Sequence, residues 1–178
     1  KNLAKKITLS ILAGAMLMSS SVAWAAENPE LRGWEKSSNM WHVSQYKWLR
    51  STGGAPNGEV NGAGHTFDGS FYGVYETGKD AEGGKVTING GTFSGRSLIY
   101  GGYVEGGNNK AKGNVVIINN GTFNANIYGG FGAINNIDVV SNTVEINNGT
   151  FDEMFIYGGY INDRFATGNA NDNKVIIS

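Results

Sequence analysis

Short runs in which valine and isoleucine alternate with other residues recur along the chain, each closed by an asparagine- and glycine-rich turn and a phenylalanine. Three copies align without a gap: Val86–Phe93, Val116–Phe123 and Val144–Phe151. In each, the first and third residues share one side of a short strand, because successive side chains of a strand point to opposite faces. Val86 with Ile88, Val116 with Ile118 and Val144 with Ile146 therefore predict a buried face. The intervening Thr87, Ile117 and Glu145 vary as a solvent face does. Asn89-Gly90-Gly91, Asn119-Asn120-Gly121 and Asn147-Asn148-Gly149 supply residues that tolerate positive φ, so a turn follows. Phe93, Phe123 and Phe151 then return to the core.

A second signature follows each copy after a few residues: Ile99–Tyr103, Ile127–Phe131 and Ile156–Tyr160, all of the form Ile-Tyr-Gly-Gly-aromatic. It predicts a second strand with a glycine corner, and leaves open whether Ile99 or Tyr100 faces inward. A degraded earlier copy runs through Gly64–Phe67 and Phe71–Tyr75, and a last one begins at Asn173–Ser178. The valines Val86, Val116, Val144 and Val175 are spaced by 30, 28 and 31 residues. The polar stretches Glu105–Gly113, Ala133–Ser141 and Asn162–Asn173 complete each period and read as surface loops.

A single copy cannot bury its apolar face, whereas stacked copies bury one another's, with strands about 4.8 Å apart. Phe93, Phe123 and Phe151 should stack, and Asn119 and Asn147 should hydrogen-bond along the stack. A propeller blade needs about 40 to 50 residues, more than this period, and the leucine ladder of leucine-rich repeats is missing. The expected fold is all-β, a right-handed parallel β-helix (β-solenoid) of about 28–31-residue repeats, with a signal peptide and an N-terminal cap segment before it. The expected organisation is a signal peptide at 1–25, a cap at 26–63 and solenoid repeats at 64–178. Copies lie near 64–83, 84–113, 114–141 and 142–172, with a truncated copy at 173–178.

The signal peptide rests on Lys1, Lys5 and Lys6, an apolar stretch from Ile7 to Met18, and the small-x-small site Ala23-Trp24-Ala25. The apolar stretch falls short of the roughly 20 residues of a membrane span. The cap segment carries Trp34, Trp41 and Trp48 at intervals of seven, open to an amphipathic helix or to β structure over the first rung. A sugar-binding aromatic patch is a further reading of these tryptophans.

Composition narrows the function. The 28 glycines fall at repeated turn positions, which argues against glycine-rich disorder. With Lys1, Lys5 and Lys6 set aside, 11 basic residues face 15 acidic ones, a net charge of −4 that gives no basic footprint for nucleic acid. Zero cysteine excludes a disulfide scaffold, so packing and hydrogen bonding must hold the fold.

At Val86–Phe93, Ile99–Tyr103 and their later copies the sequence resembles the passenger domain of a bacterial autotransporter, a type V secreted, adhesin-like protein. The resemblance covers about residues 64 to 178 together with the signal. It implies export, display at the cell surface or outer membrane, and contact with glycans or proteins of a host or neighbouring cell. It also implies further repeats and a C-terminal outer-membrane β-barrel, neither of which stands in this sequence; with its last copy cut at Ser178, the chain reads as an N-terminal fragment.

Catalytic patterns are sparse. His42 and His65 have no metal-spaced partner, and His65 occupies a turn position. Paired carboxylates are the chemistry of polysaccharide-cleaving β-helix enzymes, and the candidates are Asp138, Glu145, Asp152, Glu153, Asp163 and Asp172. They occupy different repeat positions and read as solvated charge. Asn120–Thr122 and Asn148–Thr150 match a glycosylation acceptor pattern and read as turns. No catalytic, cofactor-binding or metal-binding residue is assigned and no cofactor is expected. The expected function is a non-catalytic structural or adhesion module. A secreted β-helix carbohydrate-active enzyme and a purely structural envelope protein are the alternatives.

Overall fold

A computed structural model of the chain describes residues 31–32, 35–36, 48–50, 57–60, 62–64, 66–67, 69–95, 97–134, 136–162 and 167–178. The expected signal peptide at 1–25, His42, His65, Trp34, Trp41 and Asp163 lie outside the described residues.

Among the described residues all regular structure is strand. Before the first coil come β1 (Leu31–Arg32), β2 (Glu35–Lys36) and β3 (Trp48–Arg50). Four strands then make each coil. The first coil holds β4 (Asn57–Val60), β5 (Thr66–Phe67), β6 (Ser70–Thr77) and β7 (Ala81–Glu82). The second holds β8 (Lys85–Ile88), β9 (Thr92–Phe93), β10 (Leu98–Glu105) and β11 (Lys110–Lys112). The third holds β12 (Val115–Ile118), β13 (Thr122–Phe123), β14 (Asn126–Gly132) and β15 (Asp138–Val140). The fourth holds β16 (Thr143–Ile146), β17 (Thr150–Phe151), β18 (Ile156–Ile161) and β19 (Ala170–Asn171), and β20 (Lys174–Ile177) starts another.

Equivalent strands of successive coils pair in parallel, giving four sheets along a β-solenoid of about four turns. The first sheet runs β1-β4-β8-β12-β16-β20 and the second β5-β9-β13-β17. The third runs β2-β3-β6-β10-β14-β18 and the fourth β7-β11-β15-β19. The register is that of the sequence alignment: Val86 pairs with Val116, Val116 with Val144, and Val144 with Val175. Among the described strands, only β1 on β4 and β2 on β3 are antiparallel, while β3 pairs in parallel with β6. The strands described before β4 in the segment at 26–63 are thus laid on the edges of the first and third sheets. The segment's last strand, β4, already belongs to the first coil, in register with β8. Gly58 stands there opposite Val86, which is why the Val-x-Ile pattern is not visible in that strand.

The interior divides in two. Val60, the inward pairs Val86–Ile88, Val116–Ile118 and Val144–Ile146 of the first sheet, the phenylalanines of the second and Ile99 and Ile127 of the third form one core cluster. Burying each of these side chains contributes roughly 1.5–3 kcal/mol. Phe67, Phe93, Phe123 and Phe151 stack with ring centroids 4.9, 4.8 and 5.1 Å apart. This is the expected ladder, extended by one rung into the degraded copy. The second cluster comprises Val74, Ala81, Val104, Ala111, Ile137 and Val139. It corrects the reading of the polar stretches as loops only. Each contains a short strand of the fourth sheet, with Ala111 and Val139 buried in their middles. Lys110 and Lys112 flank Ala111 and hide it from a hydropathy reading.

Candidate functional site

Each lateral face offers columns of equivalent side chains, and the third sheet carries the densest. Ile99 is fully buried in the first core cluster, so it is the residue of the Ile-Tyr pair that points inward. Tyr100 lies on the other face but keeps only 4% of its surface exposed. Strict alternation would separate Tyr100 from Tyr103, yet the two rings meet edge to face at 5.2 Å. The glycine pair between them shifts the phase. Gly101 is passed over in the register between Tyr100↔Tyr128 and Gly102↔Gly130, and Val104 then points into the second core.

Two aromatic columns result. In the inner one Tyr72, Tyr100, Tyr128 and Tyr157 stack at 5.0, 5.0 and 5.6 Å. In the outer one Tyr75, Tyr103, Phe131 and Tyr160 stack at 5.0, 5.1 and 5.6 Å. Rings of the two columns meet edge to face within each of the first three coils, the geometry that the ring quadrupole favours. Stacking along the solenoid axis uses the ring faces on one another. Rings inside the columns, such as Tyr100 and Tyr103, have both faces taken up in this way, which does not suit stacking of a sugar ring on them. Burial pushes the phenols of Tyr72, Tyr100, Tyr103 and Tyr128 above the ordinary tyrosine range, helped at Tyr72 by Tyr103 and at Tyr103 by Glu105. The Tyr75 hydroxyl donates to the Glu105 carboxylate.

A second column is polar and buried. At the corner between the fourth and first sheets, Asn114 and Asn142 have no exposed surface. Oδ1 of Asn142 accepts from the backbone N–H and from Nδ2 of Asn114, both at 2.9 Å. Nδ2 of Asn142 donates to the Ala111 carbonyl at 2.9 Å and to Oδ1 of Asn173 at 2.9 Å. Every polar atom of that amide is paired, as burial demands. The amides fit because the facing residue is glycine: a Cβ on Gly102 would stand 2.2 Å from Nδ2 of Asn114. Sequence reasoning missed this column, although an asparagine precedes each of the last three Val-x-Ile strands, at Asn114, Asn142 and Asn173.

The expected exposed asparagine column is present as well. Nδ2 of Asn119 donates to Asn89 at 2.8 Å and Nδ2 of Asn147 to Asn119 at 2.9 Å. At Asn120 and Asn148 the side-chain oxygen accepts from the following glycine N–H at 2.9 Å, which is turn chemistry.

The carboxylate candidates are dispersed. Asp138 stands on the fourth sheet, with Lys110 at 3.6 Å and the Asn169 backbone N–H at 3.1 Å. The Asn169 backbone hydrogen bond is the main reason its carboxyl lies below the usual range. Glu145 is on the outer side of the first sheet, accepting from Nδ2 of Asn147 at 3.2 Å. Asp152 and Glu153 are exposed after the second sheet, and Asp172 is exposed after the fourth. Asp152 and Glu153 are neighbours at one corner, and sheets separate them from Asp138 and Glu145. Among the described residues, no three His, Asp or Glu side chains are grouped so as to hold a metal ion.

No protein family, curated protein or solved structure matches the chain.

Proposed function

We propose that this chain is a non-catalytic module for surface display and adhesion, exported through its N-terminal signal, with the architecture of an autotransporter passenger. One observation carries the reading: the aromatic and amide columns of the solenoid are spent on joining coil to coil. Phe93 and Phe123 stack inside, Tyr100 and Tyr128 stack outside, and Asn114 and Asn142 join their amides at the corner. Such a stack resists bending and unwinding and holds its turns at fixed spacing. Among the described carboxylate candidates, Asp138 stands on the fourth sheet, Glu145 on the first and the neighbours Asp152 and Glu153 after the second.

In this reading the rod supplies reach, and the segments joining the third and fourth sheets contact glycans or proteins of a host or neighbouring cell. The test is binding of the mature chain, residues 26–178, to immobilised glycans and matrix proteins. Incubation with soluble polysaccharides, assayed for new chain ends, runs in parallel. Saturable binding without cleavage is the expected result. Cleavage would move the protein to the carbohydrate-active enzymes, and neither binding nor cleavage would leave a structural envelope protein.

A further inference from the structure

We propose that Tyr75 and Tyr103 form a site of oxidative phenol coupling, which joins the first coil to the second through a dityrosine bond when a peroxidase-type one-electron oxidant acts with hydrogen peroxide. The site is independent of the adhesion reading.

Four features single out this pair. The strand register sets Tyr75 opposite Tyr103, and their rings stack at 5.0 Å with planes only 7° apart. Both rings are partly exposed, whereas Tyr72 and Tyr100 of the inner column are almost completely covered. The Tyr72 ring abuts both edge-on, at 5.3 Å from Tyr75 and 5.5 Å from Tyr103, and keeps them side by side. Finally, the Tyr75 hydroxyl donates to the Glu105 carboxylate. A phenol loses an electron far more readily when its proton has somewhere to go, and a positioned carboxylate within hydrogen-bond reach is such an acceptor. Along the outer column the next ring is Phe131, which has no phenol to oxidise, so the coupling partner of Tyr103 in that column is Tyr75.

The chemistry balances as follows. Each phenol gives up one electron and its hydroxyl proton to become a phenoxyl radical. The two radicals join through the ring carbons ortho to oxygen, forming one C–C bond. The two ring hydrogens at those carbons leave as protons and the oxygens are reprotonated, which restores both phenols. The net loss of two hydrogen atoms reduces one hydrogen peroxide to two waters. The product closes a covalent loop between neighbouring coils in a chain that has no cysteine to do so.

The experiment treats the full chain at low concentration with a peroxidase and hydrogen peroxide. Blue dityrosine emission and intact mass are read, and tandem mass spectrometry is run on tryptic peptides. The expected product is a monomer lighter by two hydrogen atoms, with the peptide ending at Lys79 joined through Tyr75 to Tyr103 in the peptide ending at Lys110. Tyr75→Phe and Tyr103→Phe keep both rings and should abolish that cross-linked peptide; Tyr157 and Tyr160, 4.9 Å apart, make total emission the less specific readout. Phe131→Tyr should add a second product joining Tyr103 to position 131. Absence of the Tyr75–Tyr103 peptide from the oxidised monomer, or coupling of these residues found only between molecules, would overturn the proposal.

Discussion

The Val74 side chain fills the space above Gly84: a Cβ placed on Gly84 would stand 2.5 Å from Cγ1 of Val74. One coil later the same two positions hold Gly102 and Asn114, with large and small residues exchanged. The first coil therefore ends the buried amide column with a hydrocarbon, while Oδ1 of Asn114 still reaches the Gly84 N–H at 2.8 Å. Gly84→Asn alone should overpack this corner and cost about 1–3 kcal/mol. Combined with Val74→Gly it should recover much of that loss by lengthening the amide column. A double-mutant cycle in urea measures the coupling between the sites. Additive effects would show that the two positions do not share space.

The two asparagine columns differ in what surrounds them, so their members should differ in worth. Asn142→Ala removes the acceptor of two buried donors, the Asn114 backbone N–H and one N–H of the Asn114 amide. At about 1–3 kcal/mol per orphaned group, the expected cost is roughly 2–6 kcal/mol. Asn147→Ala breaks a bond of the same length, but water replaces it at the exposed turn, and the change should stay within about 0.5 kcal/mol. Urea midpoints of the two variants check the contrast. Equal losses would mean that burial does not set the strength of these ladders.

Phe123 lies between Phe93 and Phe151 with no exposed surface. Phe123→Ala should cost about 3–5 kcal/mol, because the cavity it leaves is walled by two rings that cannot close on it. A chemical denaturation curve that hardly moves would place this ring outside the core.

The tyrosine columns make stability depend on alkaline pH. The phenols of Tyr72, Tyr100, Tyr103 and Tyr128 are raised in the folded state, with burial as the leading cause. Above the ordinary tyrosine value of about 10, the unfolded chain has released those protons while the folded chain still holds them. The unfolded state then binds fewer protons, so stability must fall as pH rises. It is fully present below pH 10 or so. A titration followed by tyrosinate absorbance should show these phenols ionising together with loss of the β signal. Ionisation of all tyrosines near pH 10 in a chain that stays folded would contradict the buried columns.

Val86, Val116, Val144 and Val175 show how far the amino-acid order alone reached. Strand alternation and the 28–31-residue spacing were enough for the parallel register, the inward Val and Ile faces, the phenylalanine stack and the exposed Asn119–Asn147 ladder. Each of these follows from residues that repeat at one position, and a repeated position in a solenoid is a neighbour in space. Three features were decided only by the folded coil. Ile99 turns inward and Tyr100 outward, and the glycine pair, pressed against Asn114 and the next backbone, then shifts the strand phase so that Tyr103 joins Tyr100 and Val104 enters the second core. Ala111 and Val139 become core residues because the chain closes its coil there, although their charged neighbours read as a loop. Asn114 and Asn142 look like ordinary turn residues until the coil carries them under Gly102 and Gly130. The physical reason is common to all three: the outcome depends on which side chain faces which across a corner. That is set by how the backbone closes around the coil, and a pattern read along one strand does not contain it.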